Sequence, residues 1–99
     1  MFFDVTEDDK GVIIFIKSEL TLTDYRSIRE KFNMIVAKHK NVIVDLSGCE
    51  YIDSSGVSEL ISLNKKVIGN KNTLTIVNIN INIKHTLEVC SLGSFIKVI

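Results

Sequence analysis

Several features that define other protein classes are absent from this chain of 99 residues. It has no proline and no tryptophan, and its only cysteines are Cys49 and Cys90. Two cysteines do not make the disulfide framework of a small secreted domain, so we interpret Cys49 as a loop thiol and Cys90 as a small apolar residue of a helix. The chain must therefore rely on an ordinary hydrophobic core, and a chain of this length buries roughly 60–68% of its surface on folding.

Net charge and long apolar runs are also missing. Twelve basic and twelve acidic residues give a formal net charge of zero, which argues against non-specific nucleic-acid binding because that binding requires a basic excess. No apolar run approaches the ~20 residues that span a bilayer, and the N-terminus lacks the basic leader of a signal peptide. We expect a globular domain that neither inserts into a membrane nor binds nucleic acid directly.

The sequence motifs of common enzymes and cofactor sites do not occur. There is no glycine-rich nucleotide loop, no Gly-x-Ser-x-Gly nucleophile elbow, and no group of His, Cys and carboxylate residues at metal-site spacing. The only histidines are His39, after one predicted helix, and His85, within another. We interpret both as surface or structural residues, and we predict a protein without catalytic activity, metal or cofactor.

The most informative stretch covers residues 41–63. It opens with a short β-branched run, Val42–Leu46, which is typical of a buried central strand. Asp45, near the carboxyl end of that strand, is expected to accept hydrogen bonds from the backbone of the following loop. Residues 53–56 then read Asp-Ser-Ser-Gly, and apolar residues beyond them recur at the spacing of a helix, which we predict over Ser55–Ile68.

The polar residues at this helix start have defined physical roles. The first turn of a helix has backbone N–H groups without intrahelical partners, and Asp53 or Ser54 can accept from one of them as the N-cap, which is worth about 1 kcal/mol. Ser54 and Ser55 lie at the positive end of the helix, where a phosphate is favoured. Gly56 has no side chain, so we expect it to let the backbone of a partner approach closely.

The rest of the sequence alternates between strand and helix patterns. The predicted strands are Phe2–Thr6, Val12–Ile16, Val42–Leu46, Leu74–Val77 and Phe95–Ile99. Besides the central helix, we predict a helix capped by Thr23 or Asp24 that ends in residues 38–41, and a last helix capped by Asn80 or Asn82 that carries Leu87 and Cys90 on its apolar face and ends at Gly93. Such alternation predicts a mostly parallel sheet with right-handed crossovers, made mixed by the opening hairpin.

Taken together, these segments resemble the STAS domain family, and more narrowly the bacterial anti-sigma factor antagonists. The residues that carry the resemblance are the Val-Ile-Val-Asp-Leu-Ser strand at 42–47, the Tyr-Ile-Asp-Ser-Ser-Gly turn at 51–56 and the apolar helix that follows. Length and element order also match, so the resemblance covers nearly the whole chain. It implies one α/β domain over residues 1–99, with a small, mostly parallel mixed sheet of about five strands and helices packed mainly on one face.

The resemblance also implies control by phosphorylation. In that family the second serine of Asp-Ser-Ser-Gly is phosphorylated, and here that residue is Ser55. The unphosphorylated protein would bind an anti-sigma factor that is also a Ser/Thr kinase, and so free a sigma factor. Phosphorylation of Ser55 would abolish this binding, and a separate Ser/Thr phosphatase would restore it. On this hypothesis the chain is a ligand and a substrate in the bacterial cytoplasm, and it is not an enzyme.

We expect the partner to contact the motif, the helix turn after it and the loop after the second strand. The expected contact residues are Thr21, Asp53, Ser54, Ser55, Gly56, Val57, Ser58 and Glu59. A solvated helix face is an equally good interpretation of Ser58 and Glu59, and Tyr51 and Ile52 are predicted to be packing residues. Many relatives carry Gly-Glu-Leu-Asp where residues 18–21 are Ser-Glu-Leu-Thr here, a departure that affects the identity of the partner more than the fold.

A hypothesis of a different class stays open. The chain could be a STAS interaction module that docks in a transport complex or another signalling complex, with no sigma factor involved. The presence of both serines of the motif favours the partner-switching hypothesis.

Overall fold

A computed structural model describes residues 3–21, 25–89 and 96–99 of the chain. In these ranges the strands are β1 (Phe3–Glu7), β2 (Gly11–Ile16), β3 (Asn41–Asp45), β4 (Leu74–Val77) and β5 (Lys97–Val98), and the helices are α1 (Tyr25–Val36), α2 (Ser54–Gly69) and α3 (Ile81–Val89). The predicted order of strands and helices is confirmed. The expectations for Phe2, Thr23, Asp24, Cys90, Gly93 and Phe95 lie outside the described residues.

The sheet is mixed and mostly parallel, as predicted. Its strand order is β1-β2-β3-β4-β5; β1 runs antiparallel to β2, and every later neighbour pair is parallel. Each parallel strand thus lies one place further along the sheet than the strand before it. Right-handed crossovers that always step in the same direction place their helices on the same face of the sheet.

The burial of alternate strand residues agrees with this one-sided packing. On β2, Val12, Ile14 and Ile16 are buried, whereas Ile13 and Phe15 on the opposite face are half-buried. The neighbouring strand repeats the pattern, since Ile43 is 38% exposed between buried valines. The helices contribute the other side of the core, chiefly through Ile28, Phe32, Ile35, Leu60, Leu63, Val67, Ile83 and Leu87.

The segment after β2 is held against the segment before α2 by a parallel β-bridge between Leu20 and Ile52. The N–H of Leu20 donates to the carbonyl of Tyr51 at 3.1 Å, and the N–H of Asp53 donates to the carbonyl of Leu20 at 3.1 Å. The side chains of Leu20 and Ile52 are both buried in the core. This bridge joins two loops that are separated in sequence by α1 and β3.

Helix α2 crosses this bridge at Gly56. A Cβ atom at Gly56 would lie 2.5 Å from the carbonyl oxygen of Leu20 and 2.7 Å from Cγ1 of Ile52. These distances are too short for a side chain, so glycine is required by close packing inside the domain. The expectation that Gly56 admits the backbone of a partner is therefore corrected, because Leu20 and Ile52 already fill the space beside it.

We predict that Gly56→Ala destabilises the fold. The added methyl group forces α2 away from Leu20, and overpacking of this kind typically costs about 1–3 kcal/mol, against a helix-propensity gain of about 1 kcal/mol or less. Gly69→Ala is the matched control in the same helix, because apart from its chain neighbours and the adjacent helix backbone no atom lies within 4 Å of its Cβ position. Denaturant unfolding should show a lower midpoint for Gly56→Ala alone; equal midpoints for the two variants would contradict the contact.

A charged cluster ties the end of β1 to the segment after α1. The carboxylate of Glu7 lies 2.8 Å from Nζ of Lys38 and 2.9 Å from Nζ of Lys40. Hydrogen bonds from these two lysines lower the pKa of Glu7 from 4.5 to about 2. Because the pKa is lower in the folded state, the stabilisation is present above the unfolded pKa and is lost as the pH falls from 4.5 to about 2.

This cluster predicts a pH-dependent difference between the wild type and Glu7→Gln. The wild type should have the higher unfolding temperature near neutral pH, and the difference should shrink as the pH falls through the window below 4.5. The cluster is exposed, so added salt should also reduce the difference. Calorimetry at several pH values measures it, with Glu50→Gln in an exposed loop as the control. A difference that is constant with pH would contradict the role of Glu7.

Candidate functional site

The Asp-Ser-Ser-Gly motif at residues 53–56 lies at the carboxyl edge of the parallel strands, where α/β proteins usually place their binding sites. Loops that follow three strands meet there. The loop after β2 pairs with the motif segment through Leu20 and Tyr51, and the loop after β4 joins them because Nδ2 of Asn80 donates to the carbonyl of Glu50 at 3.1 Å. Hydrogen bonds thus join the segment before the motif to a neighbouring loop on each side.

Asp45 fixes the start of the loop that carries the motif. Its Oδ1 accepts a hydrogen bond from the N–H of Ser47 at 2.9 Å, and its Oδ2 accepts one from Nδ2 of Asn78 at 3.0 Å. Burial alone raises the pKa of Asp45, but the hydrogen bonds from Ser47 and Asn78 together outweigh it, so the net pKa is lowered. The predicted role of Asp45 as an acceptor for loop backbone is confirmed.

The structure decides between the alternative helix caps. Asp53 has an extended backbone, and its Oδ1 accepts from the N–H of Gly56 at 3.0 Å, which makes Asp53 the N-cap of α2. Ser54 is instead the first residue of the helix. In the same way, Oδ1 of Asn80 accepts from the N–H of Ile83 at 2.8 Å at the start of α3. Both helices begin at the edge of the sheet where the motif lies.

The two motif serines differ in exposure. Ser54 is exposed and Ser55 is half-buried, and both belong to the first turn of α2. A phosphate on either serine would lie at the positive end of the helix, where it is tolerated or favoured. Thr21 is half-buried and directly follows Leu20, so it lies next to the motif, as expected for a residue of the same surface.

Ser55 belongs to the stripe of α2 that faces α1. Residues four and eleven positions further along a helix lie on the same side as the first residue, and for Ser55 these are Glu59 and Lys66. Oε1 of Glu59 lies 3.0 Å from Nη2 of Arg29, and Nζ of Lys66 donates to Oδ1 of Asn33 at 2.9 Å. Ser55 therefore lies beside the polar seam between α1 and α2.

Some of the expected contact residues are buried. Gly56 is buried beneath Leu20, Val57 is 3% exposed, and Glu59 is 8% exposed. The interpretation of Glu59 as part of a solvated helix face is wrong, because its carboxylate pairs with α1 instead. The accessible part of the expected surface consists of Thr21, Asp53, Ser54, Ser55 and Ser58, and their contact with a partner stays a prediction.

Sequence reasoning missed an exposed apolar patch beside the motif. Tyr51 is 50% exposed, contrary to its predicted packing role, and Ile81 at the start of α3 is 75% exposed. Both line a shallow depression together with His85. The period-two alternation of an extended segment explains the exposure of Tyr51, since Ile52 lies in the core and its neighbour must then point outwards, but the sequence alone does not show that this segment is extended.

The described residues offer little for other kinds of chemistry. No three His, Cys, Asp or Glu residues among them are grouped as metal ligands would be, and none of the helices they form is long and apolar enough to cross a membrane. Cys49 is buried, and its Sγ donates to the carbonyl of Tyr51 at 3.3 Å. Burial raises the pKa of this thiol, as expected for a cysteine in apolar surroundings.

Other proteins of known structure share this fold. The structure resembles an anti-sigma-factor antagonist (STAS) domain protein from Planctomyces limnophilus, with a TM-score of 0.85, 18% identity and coverage of 98% of this chain and 87% of that chain. It also resembles the Bacillus cell fate determinant SpoIIAA in its phosphorylated form, with a TM-score of 0.74, 17% identity and coverage of 99% and 91%. A search of curated protein sequences finds no significant match.

The same fold occurs within a much larger protein. The murine anion transporter Slc26a9, solved in its inward-facing state, matches with a TM-score of 0.73 and 20% identity over 92% of this chain but only 16% of the transporter. At such identities the likeness establishes the fold alone. The sequence itself, however, matches the family model of the STAS domain over residues 3–99, and the chain therefore belongs to the STAS domain family.

Proposed function

We propose that this chain is an anti-sigma factor antagonist whose binding is switched by phosphorylation of Ser55. As a single STAS domain in the bacterial cytoplasm, its unphosphorylated form binds an anti-sigma factor with Ser/Thr kinase activity and frees a sigma factor. The phosphorylated form dissociates, and a Ser/Thr phosphatase regenerates the binding form. The observation that carries this proposal is the position of Ser55 in the first turn of α2, half-buried next to the exposed Ser54.

In this proposal the chain is a substrate and does not catalyse the transfer. Oγ of Ser55 attacks the γ-phosphorus of ATP held by the kinase, the new O–P bond forms as the bond to the ADP oxygen breaks, and the hydroxyl proton passes to a base of the kinase. The product phosphate then lies at the N-terminus of α2, where its charge is tolerated. No change of fold is needed.

The free energy needed to bury a single phosphate in an interface is large enough to prevent binding. The group adds about −1.5 to −2 charges near neutral pH. In a complex that buries Ser55, this charge must be desolvated, which costs several kcal/mol wherever the interface does not compensate it. A hundredfold loss of affinity requires only about 2.7 kcal/mol. The neighbouring exposed residues Ser54 and Ser58 extend the surface on which that charge would appear.

The similarity to solved proteins supports this proposal and leaves one alternative. The relatives from Planctomyces limnophilus and Bacillus are described as an anti-sigma-factor antagonist domain protein and as a cell fate determinant in a phosphorylated form. The likeness to the transporter favours the second hypothesis, in which the chain docks in a transport complex. In that case binding would not depend on the state of Ser55.

We predict that a kinase in lysate of the source cells phosphorylates Ser55 and then binds the phosphorylated protein much more weakly. Purified wild type, Ser55→Ala and Ser54→Ala should be incubated with lysate and ATP, and the modified residue should be located by mass spectrometry. Phosphate should appear at residue 55 of the wild type and of Ser54→Ala, which is the matched control at the adjacent exposed serine. It should be absent from Ser55→Ala.

Affinity capture with immobilised wild type and Ser55→Asp tests the second half of the prediction. A protein with a kinase domain should be retained by the wild type and lost, or strongly reduced, with Ser55→Asp. Phosphate on Ser54 alone, or equal capture of a transporter component by both forms, would contradict partner switching at Ser55.

A further inference from the structure

An ion pair links the stripe of Ser55 to α1. Nη2 of Arg29 lies 3.0 Å from Oε1 of Glu59, and the side chain of Glu59 is 10% exposed whereas that of Arg29 is 58% exposed. A carboxylate buried to this extent requires a paired charge or hydrogen bonds, and Arg29 supplies both. The guanidinium itself stays at the surface, at the end of a long side chain that can change its direction.

Ser55 lies one helical turn before Glu59 on the same side of α2. Cβ atoms at this spacing are about 5–6 Å apart, and a phosphate extends beyond Oγ of the serine. The guanidinium that binds Glu59 is therefore within reach of a phosphate carried by Ser55. The contact between Lys66 and Asn33, further along both helices, shows that α1 and α2 run side by side in the same direction, so α1 stays adjacent to this stripe.

We propose that Arg29 is the intramolecular receptor for a phosphate on Ser55, and that it exchanges its contact with Glu59 for one with the phosphate. This inference rests on phosphorylation of Ser55, which belongs to the proposed function. A phosphate carries more charge than a carboxylate, and the planar guanidinium binds it through two parallel hydrogen bonds. Two unshielded anions one turn apart on a helix would otherwise repel each other.

Through this exchange the phosphorylated protein would differ from the unphosphorylated protein in its side-chain contacts as well as in its charge. Glu59 would lose its partner at a buried position, and the seam between α1 and α2 would rearrange next to the exposed residues Ser54 and Ser58. The contact of Arg29 with the phosphate would offset the cost of leaving Glu59 without its partner.

The first test measures the second pKa of the phosphate by ³¹P NMR. Phosphoserine is installed at position 55 during translation, so neither a kinase nor a partner is needed. Arg29→Gln should raise this pKa by about 0.5–1 unit, because a nearby cation favours the dianion. Arg26→Gln, with the same charge change at an exposed position on the same helix, should raise it clearly less. Equal shifts for the two variants, or no shift for Arg29→Gln, would overturn the proposal.

The second test measures the exchange itself by a double-mutant cycle. The coupling between Arg29 and Glu59 is obtained from the unfolding midpoints of the wild type, Arg29→Gln, Glu59→Gln and the double variant. It should be present in the unphosphorylated protein and largely lost when residue 55 is phosphoserine. A purely structural ion pair would give the same coupling in both states, and that result would overturn the exchange.

Two features of the design keep the outcomes interpretable. If Arg29→Gln alone is too unstable to titrate, the difference in phosphate pKa between Glu59→Gln and the double variant still isolates the contribution of Arg29. Because phosphoserine is installed during translation, the contact between Arg29 and the phosphate can be detected even if no cellular kinase modifies Ser55. Conversely, if Arg29 does not bind the phosphate, partner switching at Ser55 is still tested independently by the capture experiment.

Discussion

The parallel bridge between Leu20 and Ile52 is the contact on which the site depends. Its two backbone hydrogen bonds fasten the loop after β2 to the segment that leads into α2, and the absent side chain of Gly56 lets α2 lie directly on it. Because the N–H of Asp53 is held by the bridge while its carboxylate caps α2, the direction of the first helical turn is determined. Ser55 lies in this first turn.

Ser55 is separated from the core by the geometry of α2. One side of the helix packs into the core through Leu60, Leu63 and Val67, while the stripe of Ser55 meets α1 through polar side chains. A charge added at Ser55 would lie in the first turn of α2, on the polar side of the helix and outside the apolar interior. The fold can therefore remain the same while the surface that a partner would meet changes its charge.

The order of strands and helices, the mostly parallel sheet and a cap at Asp53 or Ser54 could be predicted from the sequence, because each depends on local composition and spacing. The contact of Gly56 with Leu20 and the pairing of Glu59 with Arg29 could not, because each joins residues about thirty or more positions apart. The exposure of Tyr51 was missed for a related reason. Only the bridge to Leu20 shows that this segment is extended and alternates between core and solvent.

The central claim is that the phosphorylation state of Ser55 decides whether the partner binds. The most direct measurement is the affinity of the purified anti-sigma factor for two forms of this protein, with serine or phosphoserine at position 55, by isothermal titration calorimetry. We expect the phosphorylated form to bind at least about a hundredfold more weakly, a difference of roughly 2.7 kcal/mol, while its circular dichroism spectrum is unchanged. Equal affinities for the two folded forms would contradict the claim.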